Sequence, residues 1–185
     1  IQKQLDPDVD PVALRNPISP ELAVMRSSLF SGLLRSAQHN VNRQQTRVRL
    51  FESGLRFLPA PDGLQQRPGL ALLATGSVGS ESWSQATRNV DFFDVKGDIE
   101  AILARGGAAG EFRFEAGERH GMHPGQTARI HRGGNCVGFL AALHPSLQKQ
   151  LDFDQPVIVA ELDLALLSAG AVPAFESISR FPALR

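Results

Sequence analysis

An α+β fold, an antiparallel sheet flanked by helices, is what this sequence predicts, and three observations carry the prediction. Apolar residues recur at helical spacing in two stretches, 29–41 and 92–103. Around them lie short runs that alternate apolar with charged residues or are apolar throughout, the patterns of strands with one wet face or none. Clusters of glycine, proline and asparagine separate these runs at hairpin distances, and no repeat of fixed period appears.

Taken in order, residues 1–19 are rich in proline and aspartate and read as an irregular lead-in. Leu29, Phe30, Leu33, Leu34, Ala37 and Val41 then share one helical face. Ser27 or Ser28 is placed to cap that helix, and Gly32 weakens its first turns. In RVRLFESGLRF (47–57), Val48 and Leu50 alternate with Arg47 and Arg49, which predicts a strand, and Gly54 is expected to mark a bend or bulge. A Pro/Gly/Gln-rich loop over 59–68 is expected before the partner strand GLALLATG (69–76). A second helix starts at Asp91, carries Phe92, Val95, Ile99, Ile102 and Leu103 on one face, and closes at Gly106 and Gly107. Three or more strands are expected next, around Phe112 and Phe114, around Ala128 and Ile130, and over 137–143, with a tight turn at Gly133, Gly134 and Asn135. HPSLQKQL gives a short helix, VIVAELDL a buried strand, and LALLSAG a short helix ending at Gly170.

At 185 residues the chain can bury a real core, and 42% hydrophobic with 21% charged residues excludes disorder. Acidic and basic groups balance at 19 each, whereas phosphate-backbone binders carry a basic excess, so strong unaided binding of nucleic acid is not expected. The single cysteine, Cys136, excludes an internal disulfide and fits a reducing compartment. Apolar runs fall short of the ~20 residues that span a bilayer. SRFPALR at the end reads as interrupted structure, so one module over 1–185 is expected, cut from a longer chain, with 178–185 beginning a linker to another domain.

The blocks NPIS (16–19), MRSSL and GLL (25–34), LFESGLRF (50–57), VDFFDVKGDIE (90–100), HPGQTARI (123–130), VGFLAALHP (137–145), ELDL (161–164) and ISRFPALR (178–185) run through nearly the whole chain. Through them the chain resembles the bacterial phenylalanyl-tRNA synthetase beta subunit, in its catalytic-like core. The helix, strand, long loop and strand over 25–76 are similar to the motif 2 plan of class II aminoacyl-tRNA synthetases.

The resemblance implies a cytoplasmic α2β2 heterotetramer, a ligase that joins phenylalanine to its tRNA with ATP and magnesium. It places the working site in the alpha subunit. For this fragment it implies a structural core that is inactive alone, needs no cofactor itself and pairs with alpha. A module that helps position the tRNA acceptor arm is the alternative.

Working class II sites, as the resemblance presents them, follow a motif 2 phenylalanine with an arginine for the α-phosphate and a glutamate two residues on. Here Phe57 is followed by Leu58, and Ala60 stands at the glutamate position. Arg56 is nearby and is expected one pleat off, facing the other way. The nearest candidate for motif 3, VGFLAALHPSL, carries no arginine, and no phosphate-binding glycine loop of the Walker kind occurs. No catalytic, cofactor or metal residues are therefore assigned.

Other clusters have plainer explanations. His120 and His123 lack the further ligands that zinc takes, and the serine, histidine and aspartate residues lack a nucleophile elbow. Asp91, Asp94, Asp98 and Glu100 suit a helix start with Arg88 or Lys96 as salt partners. Arg26, Arg35, Arg43, Arg47 and Arg49 are expected to gather around the first helix and strand as a partner surface or a solvated face. Phe93 and Trp83 are candidate anchors: Phe92 and Phe93 cannot both face one core.

Overall fold

The computed structural model describes residues 2–168 apart from 62, 81, 85, 107 and 108. The expected linker over 178–185 and the helix end at Gly170 lie outside the described residues. Six strands form one antiparallel sheet: β1 (Arg47–Ala60), β2 (Gly63–Gly76), β3 (Phe112–Ala116), β4 (Met122–Arg132), β5 (Asn135–Leu143) and β6 (Val157–Asp163), in the order β1-β2-β6-β5-β4-β3. The helices are α1 (Gln2–Leu5), α2 (Phe30–Val41), α3 (Phe92–Arg105), α4 (Pro145–Gln150) and α5 (Leu164–Leu167).

The period-two repeat of the strands builds two cores, one on each face of the sheet. On one face Phe30, Leu33, Leu34 and Ala37 of α2 pack on Leu73, Phe139, Val157 and Val159. On the other, Val95, Ile99 and Leu103 of α3 pack on Leu140, Ile158, Ala160 and Leu162. The middle strand β6 is buried along its whole length, which explains why VIVAELD carries so few polar residues.

Four local expectations need correction. The long loop over 59–68 is strand: β1 and β2 pair without interruption from Arg47↔Gly76 to Ala60↔Gly63. Pro59 is tolerated because β1 is an edge strand, and Pro68 because pairing between β2 and β6 begins at Gly69. Gly54 is no bulge; it stays in register opposite Gly69. A Cβ on Gly54 would lie 2.3 Å from Arg26 Nη2, and one on Gly69 2.9 Å from Arg56 Nε, so the two glycines leave room for arginine side chains.

Neither Ser27 nor Ser28 caps α2, whose start is served by a residue of β6 described below. The lead-in is less irregular than expected: it contains α1, buries Leu5 in the core and bridges Ala13 to Val24. The start of α3 and the turn between β4 and β5 fall as expected. Asp91 caps α3 in a reciprocal box with Asp94, and Gly133 and Gly134, both at positive φ, form the tight turn between β4 and β5.

Candidate functional site

The site grows from a rule of strand geometry: residues two apart share a face. Val48, Leu50, Glu52, Gly54, Arg56 and Leu58 of β1 therefore look toward the α2 side, as do Arg67 on β2 and Glu161 and Asp163 on β6. Of these, Arg56, Leu58, Arg67, Glu161 and Asp163 meet in a cavity of about 340 Å³, closed on the far side by Arg119, Arg129 and Phe139.

Arg56 thus lies on the same face as Leu58, contrary to the expectation that it points away. The opposite-face assignment holds relative to Phe57, but the position that matters is 58, a full strand repeat from 56. The strand does deliver a guanidinium to the cavity. That guanidinium is already engaged: Arg56 Nη2 donates to Asp163 Oδ2 at 3.1 Å, and its Nη1 lies 3.7 Å from Glu161 Oε2. Arg67 approaches the same Asp163 oxygen at 3.7 Å.

Glu161 ties this network to α2. Its Oε1 accepts the Leu29 main-chain N–H at 2.6 Å and the Ser28 hydroxyl at 3.2 Å, so a carboxylate serves the unpaired donors at the helix start. Burial to 3% exposure pushes its carboxyl above the ordinary range, outweighing the Leu29 N–H and the Arg56 and Arg119 guanidiniums, which pull it down. Asp163 is buried too, and its Oδ1 also accepts the Ala165 and Leu166 N–H groups of α5. On the far wall Arg119 donates to Asp6 at 2.7 Å and stacks over Phe139, 4.1 Å from the ring centre.

Sequence reasoning missed Glu161 and Asp163. The signal was present: two carboxylates two residues apart inside an otherwise apolar strand share one face, and buried charges need cationic partners. It also missed Arg119, which sits in a loop with no pattern of its own.

The candidate partner arginines do not converge. Arg26, beside α2, pairs with Glu52 and donates to the Leu55 carbonyl. Arg47 and Arg49 project from the opposite face, where Arg47 donates to the Val78 carbonyl and Arg49 to Asp98 of α3 at 2.9 Å. Arg35 and Arg43 remain exposed. The alternation that separates odd from even positions on β1 splits a group that looks contiguous in sequence.

The acidic run on α3 is spent on structure. Asp94 accepts both Arg88 nitrogens at 2.6 and 2.7 Å, which with its capping bond lowers its carboxyl to about 2. Glu100 pairs with Lys96. His123 Nδ1 accepts the Gly125 N–H, and no group of three or more His, Cys, Asp and Glu side chains placed to hold a metal occurs among the described residues. Phe93 is 74% and Trp83 100% exposed, whereas Phe92 packs into the α3-side core. No described helix is long and apolar enough to cross a membrane.

Residues 1–164 match the family described as phenylalanyl tRNA synthetase beta chain CLM domain. The chain is 55% identical over 179 residues to the phenylalanine–tRNA ligase beta subunit of Pseudomonas savastanoi pv. phaseolicola, covering 97% of this chain and 23% of that protein. It is 48% identical over all 185 residues to the subunit of the same name from Methylococcus capsulatus, covering 23% of it. With the Acinetobacter baylyi subunit it shares 50% identity over 189 residues, covering all of this chain and 24% of that protein. The chain spans about a quarter of the length of these relatives. With a family match over residues 1–164, the chain belongs to the phenylalanyl-tRNA synthetase beta chain family.

Proposed function

We propose that this chain is a non-catalytic structural core of a phenylalanine–tRNA ligase, a class II synthetase-like module that helps hold an alpha subunit in working shape. One observation carries the reading: Arg56, the β1 guanidinium on the same face as Leu58 among the degenerate motif 2 positions Phe57, Leu58 and Ala60, is paired within the chain with Asp163 and Glu161. A guanidinium already paired in a buried network has little to offer a developing phosphate charge, because binding substrate would first break an ion pair. ATP, magnesium, phenylalanine and its tRNA would then be handled at the alpha subunit, and this chain would contribute an interface and rigidity. Arg35, Arg43 and Phe93, exposed in the fold, stay in the proposal as partner-facing residues; Arg26 and Arg47 are tied down by contacts within the chain.

The balanced charge of 19 acidic and 19 basic groups and the split arginines favour this reading over a tRNA-gripping module. The test is aminoacylation by the assembled ligase carrying Arg56→Gln in this chain. The turnover number should stay within about twofold of wild type, whereas loss of a true transition-state contact lowers it about a hundredfold or more. A loss of that size in a correctly assembled enzyme would contradict the proposal.

A further inference from the structure

Not every guanidinium in the cavity is closed off. Arg56 and Arg119 are held by Asp163 and Asp6 at 3.1 and 2.7 Å. Arg129, by contrast, has no carboxylate within ion-pair distance among the described residues, and its one hydrogen bond goes to the Glu118 carbonyl at 3.3 Å. Arg67 approaches Asp163 only at 3.7 Å and otherwise donates to Gln65 at 2.9 Å; its side chain is 43% exposed. Both line the cavity, so its mouth has guanidinium donors to spare while its floor is charge-balanced. The stem of Arg129 runs against Gly117, where a Cβ would meet it at 2.7 Å, so the glycine makes room for that side chain.

The rest of the lining narrows the ligand. Leu58, Val9 and Phe139 give the same cavity an apolar side. Four carboxylates, Asp6, Glu118, Glu161 and Asp163, also line it and disfavour a highly charged anion such as a triphosphate. A volume of about 340 Å³ suits a small organic molecule.

We propose that this cavity binds a small aliphatic monocarboxylate, its carboxylate held between Arg67 and Arg129 and its apolar body against Leu58, Val9 and Phe139. Planar guanidinium donors match a carboxylate in pairs. The inference goes beyond the scaffold role and does not depend on it: ligand here changes stability, not chemistry. If ATP were found to act at this sheet the scaffold reading would fall, whereas failure of carboxylate binding would leave that reading intact.

The test is calorimetric titration of the full-length protein in its native assembly with isovalerate, with acetate and inorganic phosphate in parallel. Saturable binding of isovalerate in the millimolar range is expected, tighter than acetate or phosphate. Arg129→Gln and Arg67→Gln should each weaken it about tenfold, the scale of one charge-assisted hydrogen bond, with melting temperature of the unliganded protein unchanged. Arg113→Gln, a control on β3 outside this cavity, should leave it unchanged. No saturable binding by the folded protein, binding indifferent to both mouth substitutions, or phosphate binding as tightly as isovalerate would each overturn the proposal.

Discussion

At the scale of single residues, Leu58 directly after Phe57 and Ala60 two positions further on are the sequence feature on which the proposal of a degenerate motif 2 rests. The orientation of Arg56 was equally available and was misjudged, since the pleat has to be counted from position 58. Glu161 gives the sharpest prediction here. Burial holds its folded pKa above the unfolded value, so its stabilising contribution is present in full below the ordinary carboxyl range and is lost as pH rises through the raised value. Glu161→Gln keeps a carbonyl for the Leu29 N–H without the buried charge. Thermal melts of both proteins should show wild type gaining on the variant as pH falls from 7 to 4, and no such pH-dependent difference would count against this account of the carboxyl. The glycines offer a second test. A Cβ on Gly138 would sit 2.3 Å from the Glu161 main-chain oxygen, whereas the close contact of one on Gly54 is with a side-chain end, the Arg26 guanidinium. Denaturant melts should show Gly138→Ala costing several-fold more stability than Gly54→Ala, since backbone cannot yield as a side-chain end can.

Among the elements, helices and buried strands were legible because spacing and burial follow one repeat: α2, α3 and β6 fall where the pattern puts them. The outer part of the β1–β2 hairpin was not. Pro59, Gly63 and Pro68 read as loop, and only their places at a sheet edge and beyond the end of β6 let a strand accept them. The cap of α2 was illegible for another reason, since it comes from residue 161, 132 positions away in sequence. α3 is the opposite case, a helix start written locally. Asp91→Ala removes the acceptor of the Phe93 and Asp94 N–H groups and should cost about 1 kcal/mol in chemical denaturation. Asp94, with its carboxyl lowered to about 2, contributes stability above the unfolded value and loses it as pH falls toward 2. Asp94→Asn should therefore flatten the acid limb of the stability curve, and an unchanged limb would show that Arg88 and the cap do not matter there.

For the molecule as a whole, a single sheet carries two cores, and the charged side chains on the α2 side come from distant parts of the chain: Asp6 near the start with Arg119, and Arg56 on the edge strand with Glu161 and Asp163 on the middle strand. The fold class was readable from periodicity alone, but the closing of the site by its own carboxylates needed the strand order, which brings residue 56 beside residues 161 and 163 through β2. The central claim, that this sheet supports chemistry done elsewhere, is tested most directly by counting nucleotide sites. Equilibrium dialysis of the assembled ligase with labelled ATP should give one site per alpha–beta pair, unaffected by Arg56→Gln in this chain. Two sites per pair, with one abolished by that substitution, would contradict it.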